Sequence, residues 1–108
     1  MDDRLPAHLE ISGLIRQVQN EGGFATVLHK GDRVAGTILV VLTENGRDTA
    51  AYERMPQMDG TRAWTKRISE EPENKEIFAD FLQKRITQDP DLWVVELDIA
   101  QAQRFIGL

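Results

Sequence analysis

Pro56 constrains the geometry of this chain more than any other residue. It stands three positions before Asp59-Gly60 in the stretch Arg54-Met55-Pro56-Gln57-Met58-Asp59-Gly60-Thr61-Arg62-Ala63-Trp64, between two runs that carry strand-forming residues. Aspartate-glycine between such runs marks a hairpin. A two-residue Asp59-Gly60 loop would pair Met58 with Thr61 and set Pro56 at a hydrogen-bonded site, where it has no N–H to donate. A three-residue loop, Met58-Asp59-Gly60 with the glycine left-handed, pairs Gln57 with Thr61 and moves Pro56 to a non-bonded site opposite Arg62. Proline therefore selects the second register. Arg54 then faces Trp64 and Tyr52 faces Lys66. One face of the hairpin reads Tyr52, Arg54, Pro56, Arg62, Trp64 and Lys66, with cations interleaved between aromatic rings, and Gln57 sits at the loop.

The rest of the chain supplies the partners for that hairpin. Leu14, Ile15 and Val18 mark one face of a helix, with Ser12 as its expected N-cap and Gly22-Gly23 as its stop. Leu9 and Ile11 fit a short strand before it or its first turn after Pro6, and the strand is the preferred reading. Phe24 to Leu28 and Thr37 to Leu42 are strands, the second apolar on both faces and therefore central. Lys30-Gly31-Asp32-Arg33-Val34-Ala35-Gly36 between them is read as a hairpin turn, and Asn45-Gly46 as another. Thr49 to Met55 and Thr61 to Arg67 complete four consecutive strands. A second helix carries Ile77, Phe78, Phe81, Leu82 and Ile86 on one face, with Pro72 near its first turn, and ends at Asp89-Pro90. Leu92 to Ile99 is a last strand, with Trp93, Val95, Leu97 and Ile99 facing inward, and Ala100 to Phe105 is a short closing helix.

The order is roughly β-α-β-β-β-β-α-β. Four strands in succession predict an antiparallel meander, and two helices with modest apolar faces predict cover for one side of it. The expected architecture is α+β, a two-layer sandwich with both helices on one face, in a single domain over residues 1–108.

Several chemistries are excluded by residue type. The chain has no cysteine, which removes disulfides, thiolate nucleophiles and cysteine-held metals. His8 and His29 have no histidine partner at i+3 or i+4. Ser12 and Ser69 lack the Gly-x-Ser-x-Gly setting of a hydrolase elbow, and no phosphate-binding glycine loop opens a helix. Four carboxylates sit close together at Asp89, Asp91, Glu96 and Asp98; Glu96 and Asp98, two apart on a strand, share a face and would be the place for Mg²⁺ or an acid–base pair. Its simpler reading is a solvated strand face plus turn residues around Pro90. The expectation is a protein that purifies without metal or cofactor, has no assignable catalytic residue, and binds rather than transforms.

Net charge is −5, which argues against nucleic acid as the partner. The opening Met-Asp-Asp-Arg lacks the apolar segment of a signal peptide, and the longest apolar run, Ile38 to Leu42, is far too short to span a bilayer. A cytoplasmic setting is expected.

Three segments carry a resemblance. GGFATVLHKGDRVAGTILVVL, RMPQMDGTRAW and DPDLWVVELD, in this order and spacing, resemble domain-of-unknown-function family 1491, small and mostly alphaproteobacterial proteins. Lys30 stands where the family pattern has arginine. The likeness spans nearly the whole chain and implies a cytoplasmic bacterial protein of one domain. It brings no catalytic residue with it. The residues themselves point to an acidic protein, an acidic peptide or a small anion as partner of the hairpin. An enzyme built on the 89–98 carboxylates, or a subunit dimerising through an exposed strand edge, are the alternatives.

Overall fold

The computed structural model describes residues 5–108. Its centre is the strand Ile38–Glu44, in which every residue but the last is buried. Such a strand needs apolar cover on both sides, and it has it. Ile38, Val40 and Leu42 belong to one cluster with Ile11, Leu14 and Val18 of a helix Ala7–Asn20 (α1). Leu39 and Val41 belong to a second cluster with Phe78 of a helix Lys75–Gln88 (α2). The two helices therefore lie on opposite faces of the sheet. This corrects the expectation of two layers with both helices on one side: the α+β class stands, and the layers are three. Two apolar faces on one central strand require two coverings.

The strands are β1 (Phe24–His29), β2 (Ile38–Glu44), β3 (Arg47–Pro56), β4 (Arg62–Ser69) and β5 (Trp93–Asp98). In space their order is β1-β5-β2-β3-β4. β5 lies between β1 and β2, antiparallel to the first and parallel to the second. The expected four-strand meander is thus three strands, β2-β3-β4, because the last strand of the chain takes an interior place. Composition accounts for it. Trp93, Val94, Val95 and Leu97 are all buried, which only an interior position satisfies. β1 buries none of its residues fully and fits the edge.

Since β5 separates them, β1 and β2 cannot be joined by a hairpin, and the 30–37 segment is a crossover strap instead of the expected turn. The strap is stitched to what it crosses. Asp32 N–H donates to the Asp91 carbonyl at 3.0 Å, and Trp93 Nε1–H donates to the Asp32 carbonyl at 2.6 Å. A Cβ on Gly31 or Gly36 would run into the Asp91 carbonyl, which explains both glycines. The Asp32 carboxylate accepts the Ala35 and Val34 N–H groups at 2.7 and 3.1 Å, and these bonds hold its pKa below the usual value.

The strap also starts α1. Ala7 and His8 N–H groups donate to the Val34 and Arg33 carbonyls at 3.2 and 2.9 Å, so two of the helix's orphan donors are satisfied by backbone. Leu9 to Ile11 is therefore helix, not the expected strand, and Ser12 lies inside it, donating to the His8 carbonyl at 2.8 Å, instead of capping it. The stripe Ala7, Ile11, Leu14, Val18 is the buried face. α2 begins later than Pro72, after Asn74, and buries Phe78 most deeply; Phe81, Leu82 and Ile86 pack at its margins. A short 3₁₀ turn, Ala102–Ile106, closes the α1 side. No described helix is long and apolar enough to cross a membrane.

Candidate functional site

The β3–β4 hairpin has the register that Pro56 selects. Pro56 lies opposite Arg62, Arg54 opposite Trp64, and Tyr52 opposite Lys66. Gln57 N–H donates to the Thr61 carbonyl at 2.8 Å across a Met58-Asp59-Gly60 loop, and Gly60 is left-handed at φ 87. Asp59 Oδ1 accepts Thr61 N–H at 3.0 Å and the Thr61 hydroxyl at 2.6 Å. These bonds, the hydroxyl's first, pull the Asp59 carboxyl below its ordinary pKa.

The candidate binding residues, five on the α1 face of the hairpin and Gln57 at its loop, fall into three levels. At the base, Tyr52 is buried in the α1 cluster and Lys66 is exposed. Both line a surface depression of about 830 Å³, together with Arg47, Glu70, Lys75 and Gln103. At mid-height the Arg54 guanidinium stacks 4.9 Å from the Trp64 ring centroid and donates to Glu10 Oε1 of α1 at 3.0 Å. Trp64 itself packs on the core. At the tip, Arg62 and Gln57 are exposed; Arg62 Nη2 donates to the Arg54 carbonyl at 3.3 Å, and Gln57 Nε2 to the Met55 carbonyl at 3.0 Å. Arg54 is thus occupied by a carboxylate and an aromatic face. Among the described residues, no carboxylate pairs with Arg62 or Lys66.

The α2 side of the same hairpin holds a charge cluster that the sequence reading did not find. Glu53 is 7 % exposed, and its Oε1 accepts Arg67 Nη1 at 3.0 Å and Arg85 Nε at 3.0 Å. A second, short contact joins Arg85 Nη2 to Oε2. Glu53 bonding holds the Arg85 guanidinium still more firmly protonated. Arg67 also lies 5.5 Å from the Phe81 ring centroid. A bulge makes this possible. The register steps from Tyr52 opposite Lys66 to Ala51 opposite Ile68, so Arg67 is the extra residue, and both it and Ile68 reach the α2 layer. In a two-layer protein Glu53 would face water. Placing α2 over that face converts it into a buried carboxylate that needs partners.

The carboxylates of 89–98 are not brought together. Asp89 ends α2, accepting the Thr37 hydroxyl at 3.3 Å and Asp91 N–H at 3.2 Å. Asp91 is exposed at the start of β5. Glu96 and Asp98 share a face at the far end, where Asp98 accepts Asn45 N–H at 2.8 Å and supports the β2–β3 turn. Glu96 is half-buried; burial foremost, then Asp98 and Glu70, raise its pKa. Among the described residues no cluster of histidine and carboxylate is arranged to hold a metal. Both histidines serve backbone: His8 Nδ1–H donates to the Arg33 carbonyl at 2.8 Å and His29 Nδ1–H to the Leu92 carbonyl at 2.7 Å.

Comparison with known proteins gives one family. The family model described as "Protein of unknown function (DUF1491)" matches residues 5–107. A crystal structure of a DUF1491 family protein from Caulobacter crescentus CB15 superposes with a TM-score of 0.80 at 28% identity, covering 96% of each chain. An NMR structure of a DUF1491 family protein from the same organism gives 0.77 at 29% identity, over 95% of this chain and 93% of that one. The solution structure of protein Atu0922 from A. tumefaciens gives 0.77 at 31% identity, over 97% and 94%. No curated protein matches.

Proposed function

This chain belongs to the DUF1491 family, a family of unknown function, and from that premise we propose that it is a small binding module whose β3–β4 hairpin receives an extended acidic segment of a partner protein. The observation that carries the reading is the division of labour on the hairpin. Arg54 is held by Glu10 and Trp64, which leaves Arg62 and Lys66 as exposed cations on a rigid, proline- and aromatic-braced strand. They are four residues apart on β4, hence roughly 13 Å apart, too far to share one carboxylate or phosphate. Alternating acidic residues of an extended chain repeat at about 7 Å and can meet both. β4 is also a sheet edge, so its outer backbone groups can pair with such a segment while the two cations set its register. A globally acidic chain repels acidic partners elsewhere, which confines the encounter to this face. We set this module in a bacterial cytoplasm: the solved relatives come from bacteria, and a chain without cysteine has no need of an oxidising compartment.

The test is a nuclear magnetic resonance titration with a peptide of alternating glutamate and alanine. The Trp64 indole resonance and β4 amides should shift, and the Trp93 indole, locked on the Asp32 carbonyl, should not. Arg62→Ala with Lys66→Ala should weaken binding, and added salt should weaken it in the native chain, without moving the unfolding midpoint. Unchanged binding by the double variant, or no shift at any peptide concentration, overturns the proposal.

A further inference from the structure

β1 is the other edge of the sheet, and it lacks the devices that keep edges single. Its six residues, Phe-Ala-Thr-Val-Leu-His, include no lysine, proline or formal charge. Phe24, Val27 and Leu28 are 72%, 40% and 48% exposed. Among the described residues, only one side of its backbone is paired, with β5. We infer that this free edge pairs antiparallel, about a two-fold axis, with β1 of a second copy of the chain.

The choice of a second copy rests on self-complementarity. Opposed residues in an antiparallel pair lie on the same face of the sheet, so a two-fold pairing of β1 must match residues of the same parity. Centring it on Thr26 sets Thr26 against itself, Ala25 against Val27 and Phe24 against Leu28, a seam with no charge in it. The ends of β1 are complementary in sign. Its N-terminal end adjoins Glu21 and lies opposite Asp98; its C-terminal end runs into Lys30. Antiparallel pairing brings the Lys30 end of one copy toward the Glu21 and Asp98 end of the other. A chain of net charge −5 repels its own copies over most of its surface, and β1 adds no charge to that repulsion. The β1–β5 register shifts between Val27 and His29, and this bulge limits the regular part of the seam at its C-terminal end, which keeps the pairing short and reversible.

Sedimentation equilibrium of the full chain over a range of protein concentration tests this. The mass should rise toward twice that of one chain. Thr26→Lys is the informative variant. Within one copy the new side chain lies opposite Glu96 and favours folding, whereas across the two-fold axis two like charges meet. It should weaken association by up to about fivefold. Thr26→Val should leave association intact. In the native chain, outward-facing amides of Phe24–Val27 should exchange hydrogen more slowly as protein concentration rises. A single-chain mass at every concentration, dimerisation of Thr26→Lys at native strength, or β1 exchange independent of concentration would each overturn the inference.

Discussion

β4 and β1 both end the sheet and both leave half of their backbone groups unpaired, yet they are built from different material. β4 carries Arg62, Lys66 and Arg67 and is fastened from both layers: Trp64 and the opposite Arg54 tie it to Glu10 of α1, and Arg67 ties it through Glu53 to Arg85 of α2. β1 has no formal charge and is held by its ladder to β5 and by Ala25 in the core. Charge on an edge discourages random pairing and selects partners of opposite sign; an uncharged edge accepts a strand like itself. One sheet thus offers two surfaces of different chemistry.

The sharpest way to break the comparison is at Glu53, which fastens the β4 edge from behind. Glu53→Ala leaves two guanidinium groups facing a vacated, half-dry site, and should cost about 3–5 kcal/mol by urea denaturation. Replacing Glu53 and Arg85 together, by Leu and Met, should recover most of that loss, because a buried ion pair is often no better than an apolar pair of similar volume. A single variant as stable as the native chain would show that β4 is not held through this cluster.

A smaller effect separates mid-hairpin from tip. Arg54 and Glu10 are each only about one-fifth exposed, at 21% and 23%, and Arg54 also covers Trp64. Arg54→Ala should lower stability by about 1–2 kcal/mol and change Trp64 emission. Arg62→Ala should stay within about 0.5 kcal/mol. Equal losses would mean that the exposed cation is as structural as the paired one.

The smallest effect lies beside β1, where Glu96 stands opposite Thr26. Its pKa is raised in the folded chain, so the folded state binds the proton more tightly than the unfolded state. The stability this contributes is present at acid pH, below the unfolded pKa, and is lost as pH rises through the raised folded pKa. Glu96→Gln should flatten that decline in a series of denaturation midpoints. A steeper decline in the variant would contradict the assignment.

Local order was the legible part. Pro56 and Asp59-Gly60 define the hairpin register because the missing N–H and the left-handed glycine act within a few residues, and the pairs Tyr52–Lys66, Arg54–Trp64 and Pro56–Arg62 stand as read. The spacing of Phe78, Phe81, Leu82 and Ile86 places a helix where α2 lies. The continuous apolar run from Ile38 marks the central strand. These follow from backbone chemistry and from hydrophobic periods that a window of residues contains.

What the sequence could not dictate locally was where β5 goes and which face each helix covers. β5 could have extended the sheet at an edge; it enters between β1 and β2 because Trp93 to Leu97 must be buried on two faces, and the burial is shared with residues far away in the chain. From that insertion follow the strap stitched over Asp91, the start of α1 on the Val34 and Arg33 carbonyls, and the second helix layer. The same layer decides the fate of charges. Glu53 becomes a buried anchor, while Arg54 and Arg62, alike in sequence, become a bound cation and an exposed one. Periodicity assigns a residue to a face, but only the packing of distant segments determines whether that face meets water.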